Sequence, residues 1–110
     1  MTSGRASNFH AELASRYFLI LEDDELLQQR LARVMSAHSF KVITAGSVAE
    51  SLTQVELTAP AFAVMELRLP DGCGLSIVEA LKRRRPDVRI VIQNGMRQYR
   101  YRSQRGEAGR

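Results

Sequence analysis

Ala61-Phe-Ala-Val-Met-Glu66-Leu-Arg-Leu-Pro-Asp-Gly72 holds a short apolar run, Phe62 to Met65, that stops on a carboxylate. The run reads as a buried strand. Pro70-Asp71-Gly72 then forces a turn. Open α/β sheets bind their ligands at the C-terminal ends of strands, beside such loops, which makes Glu66 a candidate site residue. The same spacing also fits a polar residue that merely ends a strand, so the flanking chain has to decide.

Upstream, Tyr17-Phe-Leu-Ile-Leu21 is a second continuous apolar run, and it leads straight into Glu22-Asp23-Asp24-Glu25. Four consecutive acids repel one another. The dipole at a helix N-terminus accounts for Asp24 and Glu25, but less well for Glu22 and Asp23. Leu26, Leu27, Leu31, Val34 and Met35 recur at helical spacing. They predict a helix of about 13 residues ending near His38, with Gln28, Gln29, Arg30 and Arg33 on its polar side. His38 reads as a surface residue. Phe40 to Thr44 is a further strand. Ser47 and Glu50 have capping-box spacing and open a helix that runs to about Ala59, where Pro60 follows. After Gly72-Cys-Gly74, residues Leu75, Val78 and Leu81 mark a third helix ending in Lys82-Arg-Arg-Arg85, basic charge where the dipole favours it. Val88 to Ile92 is a fourth strand.

Strands alternate with helices through short links, which implies a parallel sheet with right-handed crossovers. Strands one and three then end on the same edge, and Glu22, Asp23 and Glu66 converge there. Such a set of oxygen ligands suits Mg²⁺, which takes few carboxylates and keeps several waters.

The chain has 110 residues, enough for one domain, and 45% of them are hydrophobic. No apolar run is long enough to span a membrane, and residues 1–16 read as a loose polar leader without a signal-peptide core. The lone Cys73 forms no internal disulfide and no metal motif. A cytoplasmic protein is the default reading. Of the 16 basic and 12 acidic residues, five arginines and one glutamate lie in 94–110, so the remainder carries eleven of each sign. The basic character belongs to the tail.

Leu19-Ile-Leu-Glu22-Asp23-Asp24-Glu25 together with Ala63-Val-Met-Glu66-Leu-Arg-Leu-Pro70-Asp-Gly72 resembles the receiver domain of bacterial two-component response regulators. Gly46-Ser-Val-Ala-Glu50, and Val78-Glu-Ala-Leu81 followed by Arg-Arg-Pro-Asp, are similar to the redox-responsive RegA/PrrA/ActR branch. The resemblance spans roughly Tyr17 to Ile92. It implies a CheY-like (flavodoxin-like) α/β fold, a doubly wound parallel sheet incomplete at its C-terminus, with about four strands and three helices. It further implies Mg²⁺ held by Glu22, Asp23 and Glu66, a phosphoacceptor position at Glu66, and a switch position at Gln93. The implied partners are a sensor histidine kinase and a second receiver, with no membrane and DNA not expected.

Three departures from the family pattern lower the expected activity. Glu66 replaces the phosphoacceptor aspartate, and its extra methylene moves the carboxylate by about 1.5 Å. Gln93 stands where Thr or Ser is expected. No fifth strand with its lysine follows. The expected organisation is therefore a leader over 1–16, a partial receiver over 17–93, and a basic, structureless tail over 94–110. With permissible codons and a one-base slip, the tail resembles the family segment after strand four, which suggests a frameshift near Gln93. The missing elements would leave a sheet edge unpaired and apolar faces exposed. Two other functions fit the same residues: a non-catalytic pseudo-receiver that binds partners, and a nucleic-acid binder using Lys82 to Arg85 and the arginine tail with Tyr99 and Tyr101.

Overall fold

A computed structural model describes residues 16–94 and the strand at 97–101. β1 (Tyr17–Leu21), β2 (Lys41–Ala45), β3 (Phe62–Glu66) and β6 (Arg89–Asn94) pair in parallel, in the order β2-β1-β3-β6, while β4 (Arg68–Leu69) and β5 (Gly72–Cys73) form a separate two-stranded sheet. The connecting helices are α1 (Glu25–Ser36), α2 (Val48–Thr58) and α3 (Val78–Arg84). The chain steps from β1 to β2 in one direction, then crosses back past β1 to β3 and on to β6. Right-handed crossovers therefore place α1 on one face and α2 with α3 on the other. Four parallel strands with three helices match the expected partial α/β sheet.

The core lies on the α2/α3 face. Leu19, Leu21, Ala63, Met65, Ile90 and Ile92 project from the sheet against Val55, Ile77 and Leu81. Both faces of β1 are covered, as its uninterrupted apolar run requires: Leu19, Ile20 and Leu21 have no exposed surface. The opposite face is thinner. α1 buries no residue completely, and Leu26 and Val34 stay 62% and 49% exposed. This is the exposed apolar surface the sequence led us to expect. At the N-terminal edge, Phe18, Phe40 and Phe62 form a ring cluster with centroids 5.0–5.9 Å apart. The Arg16 guanidinium lies 5.3 Å over both Phe40 and Phe62, a cation–π arrangement.

Helix ends follow local chemistry. The Asp24 side chain caps α1 by accepting from Leu27 N–H at 3.1 Å. His38 closes the helix from an exposed position, its Nδ1 2.9 Å from the Val34 carbonyl. Ala59 ends α2 in the left-handed region with φ 46°, just before Pro60. The basic cluster at the end of α3 has a use beyond the dipole. Arg84 Nη2 donates to the Glu56 carbonyl at 2.9 Å and Arg85 Nε to the Ala59 carbonyl at 3.0 Å, tying α3 to the C-terminal end of α2.

Two expectations are corrected. The third helix begins as a 3₁₀ turn, Gly74–Ile77, before α3 proper, because the chain must turn tightly out of the Gly72–Gly74 segment. Residues 97–101 were expected to be structureless. They form β7 (Arg97–Tyr101), antiparallel to β6, with Ile92 opposite Tyr99. The sheet edge expected to stand unpaired at β6 is thereby paired by the chain itself. The rest of the expected tail and residues 1–15 of the leader lie outside the described residues. Truncation after Asn94 strips β6 of this cover and exposes its N–H and C=O groups. The truncated chain is expected to form larger species than the full chain at equal concentration, measured by size-exclusion chromatography with light scattering.

Candidate functional site

The site lies at the C-terminal edge of the sheet. β1 and β3 are paired with Leu21 opposite Met65, so the next residues, Glu22 and Glu66, end level on neighbouring strands. Glu66 is in turn opposite Gln93 on β6. Adjacent strands are about 4.8 Å apart, which sets these three residues in a row across the edge. Asp23, exposed, follows Glu22 into the turn before α1.

Glu22 is the buried member, 3% exposed. Its Oε2 accepts from Asp24 N–H at 3.0 Å, whereas its Oε1 is buried with no hydrogen-bond partner. Burial pushes the carboxyl above the usual glutamate value. The Asp24 N–H opposes that rise, and the negative charges of Glu66, Asp23 and Asp24 add to it. Glu66 is half-buried, and its Oε2 accepts from Arg68 N–H at 3.3 Å. Gln93 is 6% exposed, and its Nε2 is buried without an acceptor. A buried unsatisfied polar atom costs about 1–3 kcal/mol, and two of them flank Glu66 on either side.

The sequence thus placed Glu22, Asp23, Glu66 and Gln93 on one edge, and the structure brings them there. It does not close them into a cage: among the described residues, no three His, Cys, Asp or Glu side chains are grouped tightly enough to hold a metal by themselves. The donor set still fits Mg²⁺, which asks for one or two carboxylates and fills its remaining positions with water. A divalent ion would relieve the repulsion at Glu22 and use its orphaned oxygen.

Three supporting residues escaped the sequence reading. Gln28 was assigned to the solvent side of α1. Its Nε2 instead donates to the Glu22 carbonyl at 2.8 Å and the Ala45 carbonyl at 3.3 Å, clamping the ends of β1 and β2. A cleft of about 250 Å³ opens beside this clamp, lined by Asp23, Glu25, Gln28 and Glu50 among others. Glu50 does reach back from α2, but to Gly46 N–H at 2.7 Å rather than to the cap residue Ser47. Asp71 crosses from the β3–α3 loop to the backbone of α2. Gly74 sits so close to the Glu66 carbonyl that a Cβ at this position would collide with it.

Glu22 gives a signed pH dependence. A carboxyl raised in the folded state adds most to stability below its unfolded value of 4.5, and that contribution is lost as pH rises through the folded value. Without added metal, Glu22→Gln is therefore expected to be more stable than the parent at pH 7. Urea midpoints measured from pH 7 down to pH 4 should show this advantage shrinking.

Comparison with known proteins agrees with this geometry. The family model described as the response regulator receiver domain matches residues 18–109, which takes in most of the segment set apart above as a tail. The chain is 48% identical over 82 residues to the photosynthetic apparatus regulatory protein RegA of Cereibacter sphaeroides, covering 74% of this chain and 45% of that protein. It is 41% identical over 95 residues to the acid tolerance regulatory protein ActR of Rhizobium meliloti, covering 82% and 49%. The chain thus spans about half the length of the curated relatives it matches. Among solved structures, it resembles a Burkholderia pseudomallei response regulator with a phosphorylated aspartic acid, calcium ion and citrate. The TM-score is 0.68 at 28% identity, over 74% of this chain and 48% of that one. It also resembles the non-phosphorylated HemR receiver domain of Leptospira biflexa, with a TM-score of 0.65 at 26% identity, over 74% and 65%. On the family match and on these relatives, the chain belongs to the response regulator receiver family.

Proposed function

We propose that this chain acts in phosphorelay signalling as a receiver that is impaired in accepting a phosphoryl group. The observation that carries the reading is the register pair Glu66 opposite Gln93, with buried Glu22 level beside them. The position is that of a phosphoacceptor, but the side chain is one methylene too long. In-line transfer is sensitive to misplacement of this order, about 1 Å. Opposite it, the buried Gln93 amide takes the place of a small hydroxyl.

In this reading Glu22, Asp23 and Glu66 hold Mg²⁺, which offsets charge on a transferring phosphoryl group. Glu22 supplies its free Oε1 and Gln28 fixes the backbone beneath it. Arg68 N–H steadies Glu66. The partner is a sensor histidine kinase meeting the chain in the cytoplasm, with a second receiver as a further partner. A second reading, a pseudo-receiver that engages such partners without chemistry, is favoured by the same Glu66 and Gln93. The regulatory roles in the names of the relatives belong to longer proteins, of which this chain covers about half.

Incubation with acetyl phosphate and Mg²⁺, followed by intact-mass spectrometry, separates active from impaired receivers. The expected result is no acid-labile adduct on the parent chain. Stoichiometric phosphorylation on Glu66 would contradict impairment.

A further inference from the structure

The loop that leaves Glu66 is fastened at both ends. At its near end, Arg68 N–H donates to Glu66 Oε2 at 3.3 Å, and Gly74 N–H donates to the Leu67 carbonyl at 2.8 Å. β4 (Arg68–Leu69) and β5 (Gly72–Cys73) pair as a minimal hairpin around Pro70-Asp71. Gly72 has φ 149°, a conformation that favours glycine, so the hairpin tip has little freedom to adjust.

At the far end, Asp71 reaches α2. Its Oδ1 accepts from Val48 N–H at 2.8 Å and its Oδ2 from Ala49 N–H at 3.0 Å. The other early donors of this helix are satisfied within it. Glu50 N–H goes to Ser47 Oγ at 3.1 Å and Ser51 N–H to the Ser47 carbonyl at 3.0 Å. The Val48 and Ala49 donors are therefore met from across the loop, by a residue 22 or more positions away. The two segments also lie close: Val48 Cγ2 is 3.6 Å from where a Cβ on Gly72 would stand. These two N–H groups hold the Asp71 carboxyl below its usual range, although the residue is in open solvent. Both carboxylate oxygens are used, so neither a hydroxyl nor an amide reproduces the contact.

We infer that Asp71 is a positioning residue: it clamps the loop after Glu66 to the first turn of α2, so that the setting of the Glu66 carboxylate and the placement of α2 are fixed together. The inference concerns the mechanical link alone and holds whether or not Glu66 takes part in phosphotransfer.

Amide hydrogen exchange on the full chain tests it, together with the ¹³C shift of the Glu66 side-chain carboxyl. In Asp71→Ala, Val48 and Ala49 amides are expected to exchange about fivefold faster or more. Arg68 and Gly74 should also accelerate and the Glu66 carboxyl signal should move, while amides of β1 keep their rates. Asp71→Asn retains one acceptor and should give intermediate rates. It carries the same readouts if the alanine variant does not fold. Acceleration confined to Val48 and Ala49, with an unmoved Glu66 signal, would reduce Asp71 to a helix cap and overturn the link. Unchanged rates at Val48 and Ala49, or uniform acceleration that includes β1, would overturn it as well.

Discussion

Everything at this edge follows from one geometric constraint: β1, β3 and β6 are parallel neighbours in a register that sets Glu22, Glu66 and Gln93 level. Register alone puts Glu22 beside Glu66 and Glu66 beside Gln93. The packing that enforces the register is strong, because Leu19, Leu21, Met65 and Ile92 on these strands share one core with Leu81 and Val55. A slip of one residue would turn that whole set to the other face. The sheet thus holds two carboxylates together against their repulsion. Burial and the neighbouring negative charges of Glu66, Asp23 and Asp24 raise the Glu22 carboxyl, so its charged form is disfavoured there.

The edge is then refined by contacts that cross between elements. Gln28 joins the ends of β1 and β2 from α1, and Asp71 joins the loop after β3 to α2. Gly74 permits the close return of that loop over the Glu66 carbonyl. None of these residues touches Glu66 through its own side chain. Each limits where the backbone around the site can go, which is how a receiver-like edge keeps its shape in a chain that spans about half of its curated relatives.

How much of this was legible depended on whether the signal was local. β1 and β3 were readable because continuous apolar runs end abruptly on acids, and the Ser47 cap was readable from its spacing to Glu50. The converging carboxylates followed from strand alternation. Gln28 was not readable, because helical phase alone puts it among Gln29, Arg30 and Arg33. Only the positions of two strand-end carbonyls turn it inward. Asp71 was read as part of a turn, which it is, but its partners lie more than twenty residues upstream. β7 has no strand pattern of its own: it pairs because β6 offers an open edge, and a neighbour's edge cannot be read from Arg97-Gln-Tyr-Arg-Tyr101. Gln93 at the end of the fourth strand was visible in the sequence, but the burial of its unpartnered amide was not.

Our central proposal is that Glu22 and its acidic neighbours on this edge take a divalent cation. Titrating the Glu22 side-chain carboxyl by ¹³C NMR, with and without Mg²⁺, tests it most directly. The account predicts a midpoint above the usual glutamate value without metal and a clear fall when Mg²⁺ is added. An ordinary midpoint that ignores Mg²⁺ would contradict it.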